Sequence, residues 1–240
     1  MPGDVLIVFV TELARRQFVR REVLRTGFVD TSRLLTFTRL REALADAARR
    51  AGLLAASPLS EVRRRILVRR AAEQTKAAFA QGPLSVLSAS ALADTLDELI
   101  EELSPFGDDA QKILDWLVAQ PADTKLRQLG QLYGGYRKLL AGAGLADTRD
   151  SNAAVLKLLA GDRNAWPGTL KTLKGRLVFR AVRWLNPFEE KLVLSLKQRL
   201  GNDCVPVYSA LPPAHAEKTE DRLGSKIRSE VMMGSEEAWT

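Results

Sequence analysis

Near its start the chain carries six consecutive apolar residues, Val5-Leu6-Ile7-Val8-Phe9-Val10, and this run constrains the fold more than any other stretch. A segment that is apolar at every position and two-thirds β-branched has no face to offer water. It therefore belongs inside a sheet covered on both sides, as a central strand of a parallel sheet is. Thr11 stands where the run stops, in position to cap a helix. Arg15, Arg16, Arg20, Arg21 and Arg25 follow on that helix, which Gly27 closes. A strand end, a capped helix N-terminus and several guanidinium groups suit an anion such as a phosphate backbone. The competing reading is an ordinary first strand followed by a solvated helix face.

The following residues extend the pattern. Leu34 to Phe37 reads as a short second strand, and Thr38 is placed to cap a helix over 39–50 that Gly52 ends. The β-α-β-α opening predicts a parallel sheet with crossover helices. From Pro58 to about residue 160 helical periodicity takes over, with no convincing strand. A helix from Ser60 to about Gln81 offers Val62, Ile66, Leu67 and Phe79 for burial. Ser88 or Ser90 starts a second helix, with Leu92, Leu96, Leu99, Ile100 and Leu103 on one side and acids on the other. Ala110 to Ala119 forms a third. Asp123 precedes one that carries Tyr133 and Tyr136 among leucines, and Asp147 precedes one reaching Leu159. Strands then return at Leu177–Val182 and Cys204–Tyr208, with a helix between them opened by Asn186-Pro187. The expected fold class is α/β, a parallel sheet with crossover helices interrupted by an all-helical insertion. The expected parts are residues 1–56 and 166–211 for the α/β domain, 57–165 for the helical insertion, and 212–240 for a polar, mobile tail.

Composition narrows the function. No apolar run approaches the length of a membrane span, and Asp4 ahead of the first one is unlike a signal peptide, so a cytoplasmic protein with no membrane partner is expected. Cys204 is the single cysteine and His215 the single histidine, which argues against disulfides, a zinc site or a catalytic triad. His215 reads as an exposed loop residue. The net charge of +7 is uneven: residues 1–80 hold 16 Lys and Arg against 8 acids, while residues 81–110 hold 7 acids and no Lys or Arg. The basic part suits nucleic acid and the acidic part a basic protein surface, with solvated helix faces as the plainer explanation of both.

Nucleotide hydrolysis needs a glycine-rich phosphate loop with its Lys and Ser/Thr, and a carboxylate at a later strand end to hold the metal. The chain has no G-x-x-x-x-G-K-[ST] and no carboxylate between Gly168 and Pro187. Asp94, Asp97, Glu98 and Glu101 fall at helical spacing, as the outer face of an amphipathic helix does, and do not make a metal nuclease site. No cofactor, no metal and no catalytic residue is expected, and the chain alone is not expected to be an enzyme. Tyr133 and Tyr136 could stack bases, but their spacing among leucines favours core packing. Trp184 and Phe188 also read as packing residues.

Four segments in order carry a family resemblance. Val5 to Arg16 resembles the strand-Thr-helix segment that follows the phosphate loop in superfamily 1 helicase-like domains. Leu35-Thr36-Phe37-Thr38-Arg39-Leu40 resembles the next segment of that family, a Thr-Phe pair ahead of a helix. Leu132-Tyr133-Gly134-Gly135-Tyr136, then Leu139-Leu140 and Gly144-Leu145-Ala146-Asp147, is similar to the L-Y-x-x-Y…L…G-L-x-D region of AddB-type, helicase-like/PD-(D/E)XK nuclease subunits of bacterial double-strand-break repair. Leu177–Leu185 with Pro187-Phe188-Glu189 and Leu192-Val193-Leu194 resembles the strand and leucine helix of the same subunits. Arg183-Trp184 departs from the family's Gly-Phe, and the phosphate loop and the later nuclease domain are missing, as in a truncated member. The parent family is an ATP-dependent helicase and deoxyribonuclease. By resemblance this chain is a non-catalytic scaffold of DNA repair and recombination that binds single-stranded DNA and docks an AddA-like helicase subunit. The contacts carried over are Thr11 and Thr36, with Arg15 and Arg39; Arg20 joins them as a charge on the first helix. The alternative is a protein-interaction module or inactive remnant that binds no DNA.

Overall fold

The computed structural model describes residues 5–79, 81–121, 124–182 and 185–209. Trp184, Asp123, His215 and the 212–240 tail lie outside them. In chain order the elements are β1 (Val5–Phe9), α1 (Glu12–Thr26), β2 (Leu34–Thr36), α2 (Phe37–Arg50), β3 (Ser57–Pro58), α3 (Glu61–Ala78), α4 (Ala89–Leu103), α5 (Asp109–Val118), α6 (Lys125–Gly142), β4 (Leu145–Ala146), α7 (Thr148–Ala160), α8 (Gly168–Lys171), β5 (Arg176–Val182), α9 (Pro187–Leu200) and β6 (Val207–Ser209). The chain is α/β, mostly helical with a small parallel sheet. It forms two compact units: residues up to 53 with those from 155 onward, and residues 54–154.

In the first unit the strands run parallel in the order β2-β1-β5-β6. β1 is central, as its apolar run requires. Ile7 pairs with Leu34 on one side and Val178 on the other; Val8 pairs with Leu35 and Phe179. Alternation then sends the two sets of side chains to opposite faces. Ile7, Phe9, Leu34 and Val178 gather on the face covered by Ala14, Phe18 and Val19 of α1. Phe179 meets the Phe37 ring at the start of α2, 5.6 Å between centroids. The edge strands β2 and β6 have three residues each, which limits the unpaired backbone they present. Between Phe179↔Val207 and Val182↔Ser209 the register of β5 and β6 shifts, so Arg180 and Ala181 together stand opposite the single residue Tyr208. This is a bulge in β5, at the carboxyl end of the sheet.

Helix starts follow local hydrogen bonding. Thr36, not Thr38, caps α2: its Oγ1 accepts from the Arg39 N–H at 3.2 Å, and the helix begins two residues earlier than the sequence suggests. β2 ends on the capping residue itself, so no connection separates strand from helix. α6 is capped by Thr124, whose Oγ1 accepts from the Arg127 N–H. Asn186 and Glu189 form a reciprocal capping box at the start of α9.

The second unit packs α3, α4, α5 and α6 around Leu92, Leu96, Ile100, Leu132, Tyr133 and Tyr136. Three expectations change here. Val62 and Ile66 of α3 are 69% and 60% exposed, and Val68, Ala71 and Ala72 are buried instead. Small alanines let α3 lie close to its neighbours, so the inward stripe is set by that fit rather than by the bulkiest side chains. The helix also ends at Ala78, short of Gln81. A two-residue parallel pair, Ser57↔Leu145 and Pro58↔Ala146, joins the ends of the helical block where no strand was expected.

Tyr133 and Tyr136 are fully buried and belong to the core. The Tyr136 hydroxyl donates to Asp147 Oδ2 at 3.2 Å. Arg137 forks onto Asp150 at 2.7 and 3.1 Å and reaches Asp147 at 3.2 Å. Arg149, also buried, donates to the Gly107 carbonyl at 3.0 Å. The tyrosines and Asp147 of the L-Y-x-x-Y…G-L-x-D stretch thus meet in one polar network that ties α6 to the start of α7. Burial pushes the Asp147 carboxyl up, with the Asp150 charge adding to it. Burial acts the same way on Asp150, but the Arg137 fork outweighs it and holds that carboxyl below the usual range. Arg137→Met would leave two adjacent carboxylates without their cation, so it should destabilise the protein by about 2–3 kcal/mol at pH 7 in urea unfolding. The deficit should shrink as the pH falls toward about 4, because the stranded pair takes up protons more readily folded than unfolded. A deficit that did not depend on pH would refute this account of the network.

Candidate nucleic-acid interface

In open parallel sheets ligands sit outside the carboxyl ends of the strands, where the strand order reverses. Here the chain leaves β1 for β2 on one side and later returns as β5 on the other, so the reversal lies between β1 and β5. At that edge Phe9 of β1 pairs with Thr36 on one side and Arg180 on the other. β1 runs into α1, β2 into α2, and β5 is followed by α9, so helix N-termini follow three of the four strands. Each such end presents N–H groups and a partial positive charge.

Thr11 is exposed, in extended backbone conformation, and its Oγ1 accepts from the Ala14 N–H at 3.1 Å. Thr36 is buried and caps α2 in the same manner. Both hydroxyl oxygens therefore serve their own helices first, while each O–H remains a donor. Arg39 lies in the first turn of α2, exposed, with no ion pair or hydrogen bond among the described residues. Arg20 is likewise exposed and unpaired among the described residues. It stands nine residues along α1 from Thr11, roughly 13 Å by helical rise.

Arg15 is placed differently. Its side chain is 16% exposed and folds back on Glu12, with Nε–Oε2 at 2.9 Å and Nη2–Oε1 at 2.6 Å. Arg16 shares the same carboxylate at 3.2 Å. Glu12 in the first turn of α1 is thus the local anion, and a phosphate approaching Arg15 has to compete with it. Thr36 and Arg39 are brought together within one turn; Thr11 and Arg15 lie within one turn with Glu12 between them in charge. Arg180 is not among the contacts expected from the sequence, although a basic residue within the apolar run Leu177–Val182 is a visible signal. No group of three or more Asp, Glu, His or Cys suited to a metal occurs among the described residues. The acidic helix α4 instead meets Arg64 of α3, which reaches Asp97 at 2.8 Å and Glu101 at 3.2 Å. No helix among the described residues is long and apolar enough to cross a membrane.

The availability of Arg15 can be measured through its partner. The Arg15 hydrogen bond takes the Glu12 carboxyl from 4.5 down to about 2, with Arg16 adding to the effect. The folded value lies below the unfolded one, so the contribution to stability is present above 4.5 and fades as the pH falls toward about 2. A carboxylate NMR titration should place Glu12 near that value and move it up toward 4.5 in Arg15→Ala. An ordinary Glu12 midpoint in the unaltered protein would instead mean that Arg15 is free.

Compared with known proteins, the chain matches no family model and no curated protein.

Proposed function

We propose that this chain is a non-catalytic, DNA-binding scaffold of an AddB-type helicase-nuclease, acting in double-strand-break repair and recombination beside a motor subunit that hydrolyses ATP. The observation that carries the reading is where the two helicase-like segments fall. Val5–Arg16 and Leu35–Leu40 become adjacent parallel strands, each ending in a threonine-capped helix N-terminus at the same edge of the sheet. A helical unit inserted between β2 and β5, and the return of β5 to the free side of β1, follow the order of the segments that carry the resemblance.

The chemistry follows from the edge. N–H groups, threonine hydroxyls and exposed guanidinium groups suit phosphate oxygens and carry no base specificity. Strand guidance of this kind is independent of sequence and sensitive to salt. Of the arginines singled out, Arg39 and Arg20 are open to a ligand as they stand, whereas Arg15 has to leave Glu12 first.

A second reading has its own observation. α1 has no fully buried residue, and Leu24 and Phe28 are 80% and 74% exposed, with Leu13 also exposed. Apolar residues beside Arg16 and Arg20 suit a protein partner as well as a nucleic acid. Anisotropy of a labelled single-stranded oligonucleotide over a salt series separates the two. The DNA reading expects binding at low salt with a linear fall of log affinity against log salt, and Arg20→Glu with Arg39→Glu weakening it about tenfold or more. Folded protein that fails to bind at low salt would remove it. Capture of a partner that survives nuclease treatment would then favour the protein-docking reading.

A further inference from the structure

Most of the half-buried arginines among the described residues donate to an oxygen. Arg15, Arg49, Arg64, Arg127, Arg137 and Arg163 each donate to a carboxylate or a backbone carbonyl, as Arg137 does to Asp150 and Arg163 to the Leu170 and Leu173 carbonyls. Arg180 does not, and stands against aromatic rings instead. Its guanidinium carbon lies 5.4 Å from the ring centre of Phe18 on α1 and 5.8 Å from that of Tyr208 on β6. Phe18 is itself packed on Phe9, the β1 residue that pairs with Arg180, with 5.2 Å between ring centres. Arg180 makes no hydrogen bond or ion pair among the described residues, so its N–H donors are not engaged there.

The surroundings give this cation a fixed address. Three elements, α1, β5 and β6, contribute to it, and the β5 bulge falls on Arg180 itself. A bulge re-aims side chains at the end of a strand. The residue lies at the carboxyl edge, beside the β1/β5 reversal, where a parallel sheet receives ligands. Aromatic faces hold a guanidinium plane by cation–π attraction and leave its edge free, and that edge matches two oxygens of a phosphate.

We propose that Arg180, held between Phe18 and Tyr208, is a phosphate-binding side chain. Resting on the DNA reading above, its ligand is a backbone phosphodiester of single-stranded DNA; the shared chemistry is that of any phosphate group. The site adds a contact on the β5 side of β1, opposite the Thr36 and Arg39 contact on the β2 side.

The test uses the full chain and a labelled oligothymidylate, read by anisotropy between low and moderate salt, with circular dichroism to check folding. Arg180→Met should weaken binding about tenfold at low salt and reduce the slope of log affinity against log salt by about 0.7. Arg180→Lys should restore the slope but not the full affinity, since an ammonium cannot fork onto two oxygens. Where Arg180→Met does not fold, Arg180→Gln replaces it. In the unaltered protein, the Arg180 Nε–H NMR resonance should shift saturably with the oligonucleotide. If the protein binds DNA and neither affinity, slope nor that resonance responds to Arg180, the proposal is overturned while the DNA reading stands. If the protein binds no DNA, the DNA reading fails, and inorganic phosphate becomes the probe. A saturable shift of the same resonance by phosphate then sustains a free-phosphate site, and no shift overturns it.

Discussion

The pairing of β1 with β5 is the contact on which the first unit depends. Leu6 meets Leu177 and Val8 meets Phe179 across about 170 residues of chain. Without that pairing, β1 would lie at a sheet edge with an apolar run and an open row of hydrogen-bonding groups, a template for aggregation. Closing so long a connection is entropically costly, and parallel pairing rewards it only once the strands are in place. The intervening residues meet this difficulty in part by making a second compact unit, with a core of its own. Local helical contacts can form there independently of the sheet.

The same pairing decides what the carboxyl edge can do. It puts Thr36, Phe9 and Arg180 on three neighbouring strands, so residues from the beginning and from late in the described chain share one edge. Electrostatics at that edge is a balance rather than a uniform positive field. Helix N-termini and open guanidinium groups attract anions, while Glu12 already occupies the first turn of α1 and holds Arg15 and Arg16. The counts of arginine and glutamate in the sequence do not reveal this. Only the side-chain directions show which charges are already neutralised and which face solvent.

The polar network of the second unit gives the tyrosine motif a structural meaning. Tyr136, Arg137, Asp147 and Asp150 satisfy one another around the junction of α6 and α7, with Tyr133 and Arg149 beside them. Buried charges of this kind are tolerable only when their partners are in place. A pattern of Tyr and Asp in this spacing therefore need not mark a nucleic-acid contact, since it also solves the problem of burying polar groups between packed helices.

Local rules in the sequence were enough to determine the order of the main-sheet strands and the long helices, the centrality of Val5–Phe9 and most helix starts, but not the short β3, β4 and α8. Apolar periodicity and capping chemistry act within a few residues, and so can be read without the fold. They failed where a tertiary fit decided the outcome. Val62 and Ile66 look like core residues until the small Ala71 and Ala72 face proves to fit the neighbouring helices better. Thr36 takes the cap from Thr38 because β2 ends directly on α2. Arg15 and Arg180 exchange their apparent importance for the same reason: the fold turns one guanidinium onto Glu12 and leaves the other against two aromatic rings with no hydrogen bond or ion pair among the described residues. Sequence thus determined which charges this protein carries, and tertiary structure alone decided which of them remain open to a ligand, because neutralisation depends on distances that residue spacing does not set.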